Sequence, residues 1–98
     1  MKVVWSPLAL ERVDEIADYI AADNIEAARV FLIDIFAAVG RLRRFPQSGR
    51  SVPEVNRSDI REIVFRKKYR VVYRVERQQV SILTVRHGKQ RLPLEEVE

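Results

Sequence analysis

"IREIVFRKKYRVVYRVERQQVSILTVRH", Ile60 to His87, is the stretch that decides the fold. Apolar and polar side chains alternate through "IREIVF", "YRVVYRVE" and "VSILTVRH", the period of strands with two unlike faces. The breaks fall at Arg66–Lys68 and at Arg77-Gln78, so the spacing predicts three consecutive antiparallel strands in a meander. With Arg77-Gln78 as a two-residue turn, Glu76 faces Gln79, Arg74 faces Ser81, Val72 faces Leu83 and Arg70 faces Val85. One face then carries Tyr69, Val71, Tyr73 and Val75 with Val80, Ile82 and Thr84, and is expected to pack on the rest of the domain. The other carries Arg70, Val72, Arg74, Ser81, Leu83, Val85 and His87. The turn lacks Gly or Asn, so a longer loop would slip the register by one residue and exchange the faces.

Upstream the period is 3.6 instead of 2. "KVVW" reads as a short strand ended by Ser6-Pro7, with Ser6 suited to a helix N-cap and Pro7 to the first helical position. Ala9, Val13, Ile16, Ala17 and Ile20 then recur at helical spacing, opposite Glu11, Arg12, Asp14, Glu15 and Asp18, which predicts an amphipathic helix over 7–22. Asp23 with Glu26 three positions on resembles a capping box and starts a second helix. Ala28, Leu32, Ile35, Phe36, Val39 and Leu42 form its main stripe. Ala27, Val30, Phe31 and Ala38 widen that stripe beyond one face, as surplus core or as a surface for a partner. A short connection between such helices predicts an antiparallel hairpin. Residues 45–59, with two prolines, a glycine and no periodicity, read as a loop. The order β-α-α-β-β-β predicts a single α+β domain over 1–98, its N-terminal helical hairpin packed on an antiparallel sheet, with the acidic "LPLEEVE" (92–98) as a mobile tail.

The net charge of +4 is unevenly placed. Residues 1–40 hold 3 basic and 7 acidic side chains, whereas 66–91 hold 9 basic ones against Glu76 alone. Charge gathered in one segment makes a field that attracts polyanions or an acidic protein. Lys67, Lys68, Arg70, Arg74, Arg86, His87, Lys89 and Arg91 are therefore the candidate target- or anion-binding residues. For Arg70 and Arg74 the plainer alternative is a polar sheet face paired with Glu62 or Glu76. The chain has 0 Cys, which excludes disulfides, thiol nucleophiles and Cys-held metals and fits a cytoplasmic protein. No apolar run approaches the roughly 20 residues that span a bilayer, and no glycine-rich nucleotide motif or metal-ligand cluster occurs, so neither membrane nor cofactor is expected.

Four pieces in order, "WSPLALERVDEIADYI" (5–20), "AARVFLIDIFAAVGRLRRFPQSGRSVPE" (27–54), "IREIVFRKKYRVVYRVE" (60–76) and "ILTVRHGKQ" (82–90), resemble the ParE/RelE toxin superfamily of bacterial type II toxin–antitoxin systems. The helix-rich N-terminal half and the "FPxSGR" loop are more similar to ParE. That resemblance implies a toxin that inhibits growth by binding a target protein, DNA gyrase in this family, and a cognate antitoxin that neutralises it in a hetero-oligomer. Val30, Phe31 and Ala38 are the residues expected to meet the antitoxin.

The RelE branch implies instead a ribosome-dependent endonuclease that cuts mRNA. Its strand arginine maps to Arg70 and a basic residue of the preceding strand to Arg61. Ile63 and Gln90 stand where that pattern has further basic residues, Gln90 being flanked by Lys89 and Arg91, and "PLEEVE" offers no C-terminal tyrosine. His87 is the candidate base and Arg70, Arg74 and Lys89 the candidate cations, so this reading uses Arg70 and His87 with Lys89 and Arg91. A homologue that binds an antitoxin without being toxic is the third reading.

Overall fold

The computed structural model describes residues 1–97. Strand β1 (Lys2–Trp5) leads into helix α1 (Pro7–Ala21), which turns back through α2 (Ile25–Gly40). A single 3₁₀ turn (Arg41–Arg43) follows, then β2 (Arg50–Ser51), β3 (Ile60–Phe65), β4 (Tyr69–Val75) and β5 (Gln79–His87). The five strands form one mixed sheet in the order β1-β5-β4-β3-β2, in which β1 lies parallel to β5 and the others are antiparallel. The expected α+β architecture is present, with one strand, β2, inside the segment read as a loop.

Ser6 joins three elements. Its N–H donates to the Ile82 carbonyl (3.0 Å), its hydroxyl donates to the Leu83 carbonyl (3.0 Å), and the same oxygen accepts from the Ala9 N–H as the α1 N-cap. The second cap falls one residue later than expected. Ala22 keeps helical angles, so the chain first becomes extended at Asn24, whose side chain accepts from the Ala27 N–H at 3.0 Å. Asn24→Ala is expected to cost about 1 kcal/mol and Asp23→Ala much less, as urea denaturation would measure.

Ala9, Val13 and Ala17 of α1 and Ala28, Phe31, Ile35 and Val39 of α2 are buried on the side of the sheet that carries Tyr69, Val71, Tyr73, Val80, Ile82 and Val85. The alanines let the helices approach closely, and Phe31 fills the space between, edge-on to Phe65 (5.9 Å) and Tyr69 (5.5 Å). Phe31 is thus central core and offers no surface.

The last hairpin begins as expected, with Glu76 N–H donating to the Gln79 carbonyl, Val75 opposite Val80, Arg74 opposite Ser81 and Tyr73 opposite Ile82. A bulge then shifts the register. Val72 faces Thr84, Val71 faces Val85, Arg70 faces Arg86 and Tyr69 faces His87, so the expected pairs Val72–Leu83 and Arg70–Val85 do not form. The reason is burial. Val85 joins the helix-side core and Arg86 takes the far face, where uninterrupted alternation would have sent Val85 away from the helices and Arg86 into them.

The far face is also covered. Val52, Ile60, Val72, Leu83, Leu92 and Val97 make a second apolar cluster beneath the sheet. Leu92 and Val97 are each only 2% exposed, so residues 92–97, expected as a mobile tail, pack onto the domain because they complete this cluster. Glu98 lies outside the described residues.

Candidate functional site

The far face brings Arg70 to the centre of a closed ionic cluster. Its Nη1 and Nη2 each donate to Glu54 at 2.8 Å, its Nε donates to Glu62 at 2.8 Å, and the other Glu62 oxygen accepts from Arg50 Nε, also at 2.8 Å. Arg70 and Glu62 are buried, at 6% and 1% exposure. Of the two alternatives for Arg70, the ion pair with Glu62 is the one observed, extended by a carboxylate from the loop. A guanidinium engaged in this way has little left to offer an outside anion.

The hydrogen bonds from Arg70 hold the Glu54 carboxyl down at about 2, against a usual 4.5 and against the opposing effect of burial. The same bonds to Glu54, with those to Glu62, raise the Arg70 pKa. For a carboxylate whose folded pKa is depressed, the stabilisation is complete above about pH 4.5 and is lost as pH falls toward 2. It amounts at most to about 3 kcal/mol. The stability gap between the wild type and Glu54→Gln is therefore expected to close across that window, as acid-dependent urea melts would register.

A second cluster forms around Glu96. Its oxygens accept from Arg12 (2.9 Å), Arg86 (2.8 Å) and the Thr84 hydroxyl (2.7 Å), tying the C-terminal segment to both α1 and β5. Burial pushes the Glu96 pKa up, but the bonds from Thr84, Arg12 and Arg86 outweigh it and the net direction is down. Arg74 lies 3.5 Å from Glu76, again the pairing open in the sequence. Arg61, the other basic residue of the nuclease pattern, donates to the Gly49 carbonyl at 2.8 Å and so serves the loop.

His87 does not share the arginine face. The bulge sets it opposite Tyr69, edge-on to that ring at 5.9 Å, with its Nδ1 accepting from the Lys89 N–H. What remains of the basic set is Lys67, Lys68, Lys89 and Arg91, all exposed and without an ion pair among the described residues. Lys67, Lys68 and Lys89, with Arg50 and His87, line an open depression of ≈ 900 Å³ whose wall includes Glu54, Glu62 and Arg70. Arg91 stands outside it.

On α2 the structure separates the three residues expected to meet an antitoxin. Phe31 is core, Ala38 is half-buried and Val30 is exposed. The outward apolar residues are Ile25, Ile33 and Phe36, with Val30 beside them. Ile33 escapes a search for core residues because it falls off the core stripe, and that position is itself the signal. Glu54 and Glu96, which decide which arginines are free, give no local sign, since they sit in aperiodic segments away from Arg70 and Arg86 in the chain.

No described helix is long and apolar enough to cross a membrane, and no group of His, Cys, Asp or Glu suited to a metal occurs among the described residues. Residues 3–92 match the family model described as ParE toxin of type II toxin-antitoxin system, parDE. The chain belongs to the ParE toxin family. It is 37% identical over 97 residues to a Sinorhizobium fredii (strain NBRC 101917 / NGR234) protein named "Putative toxin Y4kP", covering 94% of this chain and 93% of that one. Its fold is similar to a solved structure described as the chromosomal ParDE TA system from P. aeruginosa, with a TM-score of 0.74 at 22% identity over 89% of this chain and 95% of the other. This ParE-type chain thus shares an architecture with that protein at a sequence distance where only the fold carries over.

Proposed function

We propose that this ParE-type toxin arrests growth by binding a target protein, DNA gyrase by family resemblance, and that a cognate antitoxin neutralises it. The observation that carries the reading is the closed Arg70–Glu54–Glu62 cluster. Of the two strand arginines that fit the nuclease pattern, Arg70 spends its donors on carboxylates and Arg61 donates to the Gly49 carbonyl, while His87 packs edge-on to Tyr69. An RNA-cleaving site needs a base, an acid and free cations around one phosphate; His87, Lys67, Lys68 and Lys89 line one depression with Arg70, but the carboxylates there, Glu54 and Glu62, are bound by arginines and leave no second acid–base group free. Action by surface complementarity fits them better.

For the antitoxin, the support lies on α2. Ile25, Ile33 and Phe36 are exposed at helical spacing with Val30 beside them, the kind of strip that receives an amphipathic segment. Ala38 borders it, and Phe31 braces it from beneath. The solved neighbour's description as a ParDE toxin–antitoxin system points the same way.

The test is to induce the chain alone in cells and follow both DNA supercoiling and transcript integrity. Loss of supercoiling or double-strand breaks with intact mRNA is the expected result. Codon-positioned mRNA cuts with normal DNA would overturn it in favour of the endonuclease, and unimpeded growth would favour a non-toxic antitoxin-binding homologue.

A further inference from the structure

We propose that the depression between the β3–β4 turn and the loop after β5 receives an acidic, extended segment of the protein on which this toxin acts, an inference that rests on the target-binding reading above. The charges left over around this depression are cationic. Glu54 and Glu62 line the depression, but they are committed to Arg70 and Arg50. Lys67, Lys68 and Lys89 come from two separate elements and line the same opening without a carboxylate partner among the described residues. Arg50 uses only its Nε and leaves its side chain 64% exposed. The walls are neutralised while the rim stays cationic.

The turn at its lip is strained. Arg66 and Lys67 both have positive φ, 54° and 58°, in a two-residue turn closed by the Lys68 N–H to the Phe65 carbonyl. Asn-Gly fits such a turn without strain, and long side chains do not. For Arg66 the fold supplies the compensation, a 2.6 Å bond to Asp34 and a guanidinium over the Phe31 and Phe65 rings. Lys67 has no such contact. An exposed cation kept at a strained position on the lip of a depression is the placement expected of a residue that meets a partner.

The lining suits a peptide better than a nucleic acid. A single nucleic-acid strand is held by bases stacked on exposed aromatic faces, but Tyr69 and Tyr73 are buried, at 8% and 0% exposure. Val64, 44% exposed, and Pro53 give the wall an apolar component suited to peptide side chains. The sheet edge beside them is also open. Strand β2 pairs only with Arg61 and Glu62, which leaves Ile63–Phe65 of β3 without a neighbouring strand on that side, and an extended chain there can bond backbone to backbone.

Fluorescence anisotropy with a labelled peptide of alternating Glu and Val, against labelled single-stranded and duplex DNA of equal charge, tests the proposal. The peptide is expected to bind the wild type more tightly than either DNA. K68Q/K89Q and Lys67→Gly are each expected to weaken it by about tenfold or more. Lys67→Gly is also expected to raise the thermal midpoint, because glycine relieves the turn. The control R41Q/R43Q/R44Q, on the exposed arginines after α2, is expected to leave peptide binding unchanged. Tighter binding of DNA, or equal losses in the control and in K68Q/K89Q, would overturn the proposal. Induction in cells separates it from the reading beneath it. Growth arrest by the wild type that survives K68Q/K89Q would overturn the site alone, whereas no arrest by the wild type, with peptide binding intact, would overturn the target-binding reading.

Discussion

Arg70→Ala is expected to cost the domain about 3–5 kcal/mol, a large share of the roughly 5–15 kcal/mol that holds a typical domain folded. The cost comes from what the change leaves behind. Glu62 is buried and Glu54 partly so, and without the guanidinium Glu54 loses its bidentate partner while Glu62 keeps only Arg50. Arg70→Lys is expected to rescue little, because one ammonium cannot reproduce the fork that donates to both carboxylates. Removing all three charges together, as R70M/E54Q/E62L, is expected to recover most of the loss, since the penalty belongs to unpaired partners. Urea denaturation of the three variants measures this. Near-wild-type stability for Arg70→Ala would mean that the cluster is not formed in solution. A loss of toxicity in that variant therefore reports folding before it reports any role at a target.

Gly49→Ala is the second large effect. A Cβ at this position would sit 2.7 Å from the Glu62 carbonyl oxygen and 2.8 Å from Cε1 of Tyr73, and against the Tyr73 hydroxyl. Two of those atoms belong to a side chain fixed by its own bonds, since Tyr73 Oη accepts from the Gly49 N–H at 2.9 Å and donates to the Pro46 carbonyl at 2.8 Å. The third is backbone of β3, so no neighbour can yield cheaply. Overpacking typically costs 1–3 kcal/mol and a broken buried hydrogen bond about 1 more, giving an expected loss of about 3 kcal/mol. Tyr73→Phe removes the bonds without the clash and is expected to cost less, about 1–2 kcal/mol. Thermal denaturation would rank the two, and a Gly49→Ala variant as stable as the wild type would disprove the close approach.

Much of the fold was legible because its signals are local. Ser6 before Pro7, the stripe of α1 and the change of period at Ile60 each reflect a few neighbouring residues, and each appears in the structure where expected. The bulge was not legible. "VSILTV" supplies strand-forming residues on both sides of the inserted Leu83, and an alternation reads the same before and after a one-residue slip. That slip sets His87 against Tyr69, although it still borders the depression that Arg70 helps to wall. The covered far face escaped for a different reason. "LPLEEVE" looks solvated by composition, yet Leu92, Glu96 and Val97 find their partners on β4, β5 and α1. The free cations are hidden for the same cause: whether an arginine is available depends on a carboxylate that arrives from elsewhere in the chain.

The parallel pairing of β1 with β5 also has a consequence in time. Lys2 pairs with Gln79 and Trp5 with Ile82, so the first strand made during synthesis waits for the last. The helical hairpin is built from contacts close in sequence and can form early, but the sheet edge that holds Ser6 and the start of α1 closes only after β5 has emerged. A growing chain thus exposes the outer row of α2 before it has a complete basic sheet. On this order of events the surface proposed for the antitoxin is presented before the surface proposed for the target, and neutralisation has a head start over toxicity.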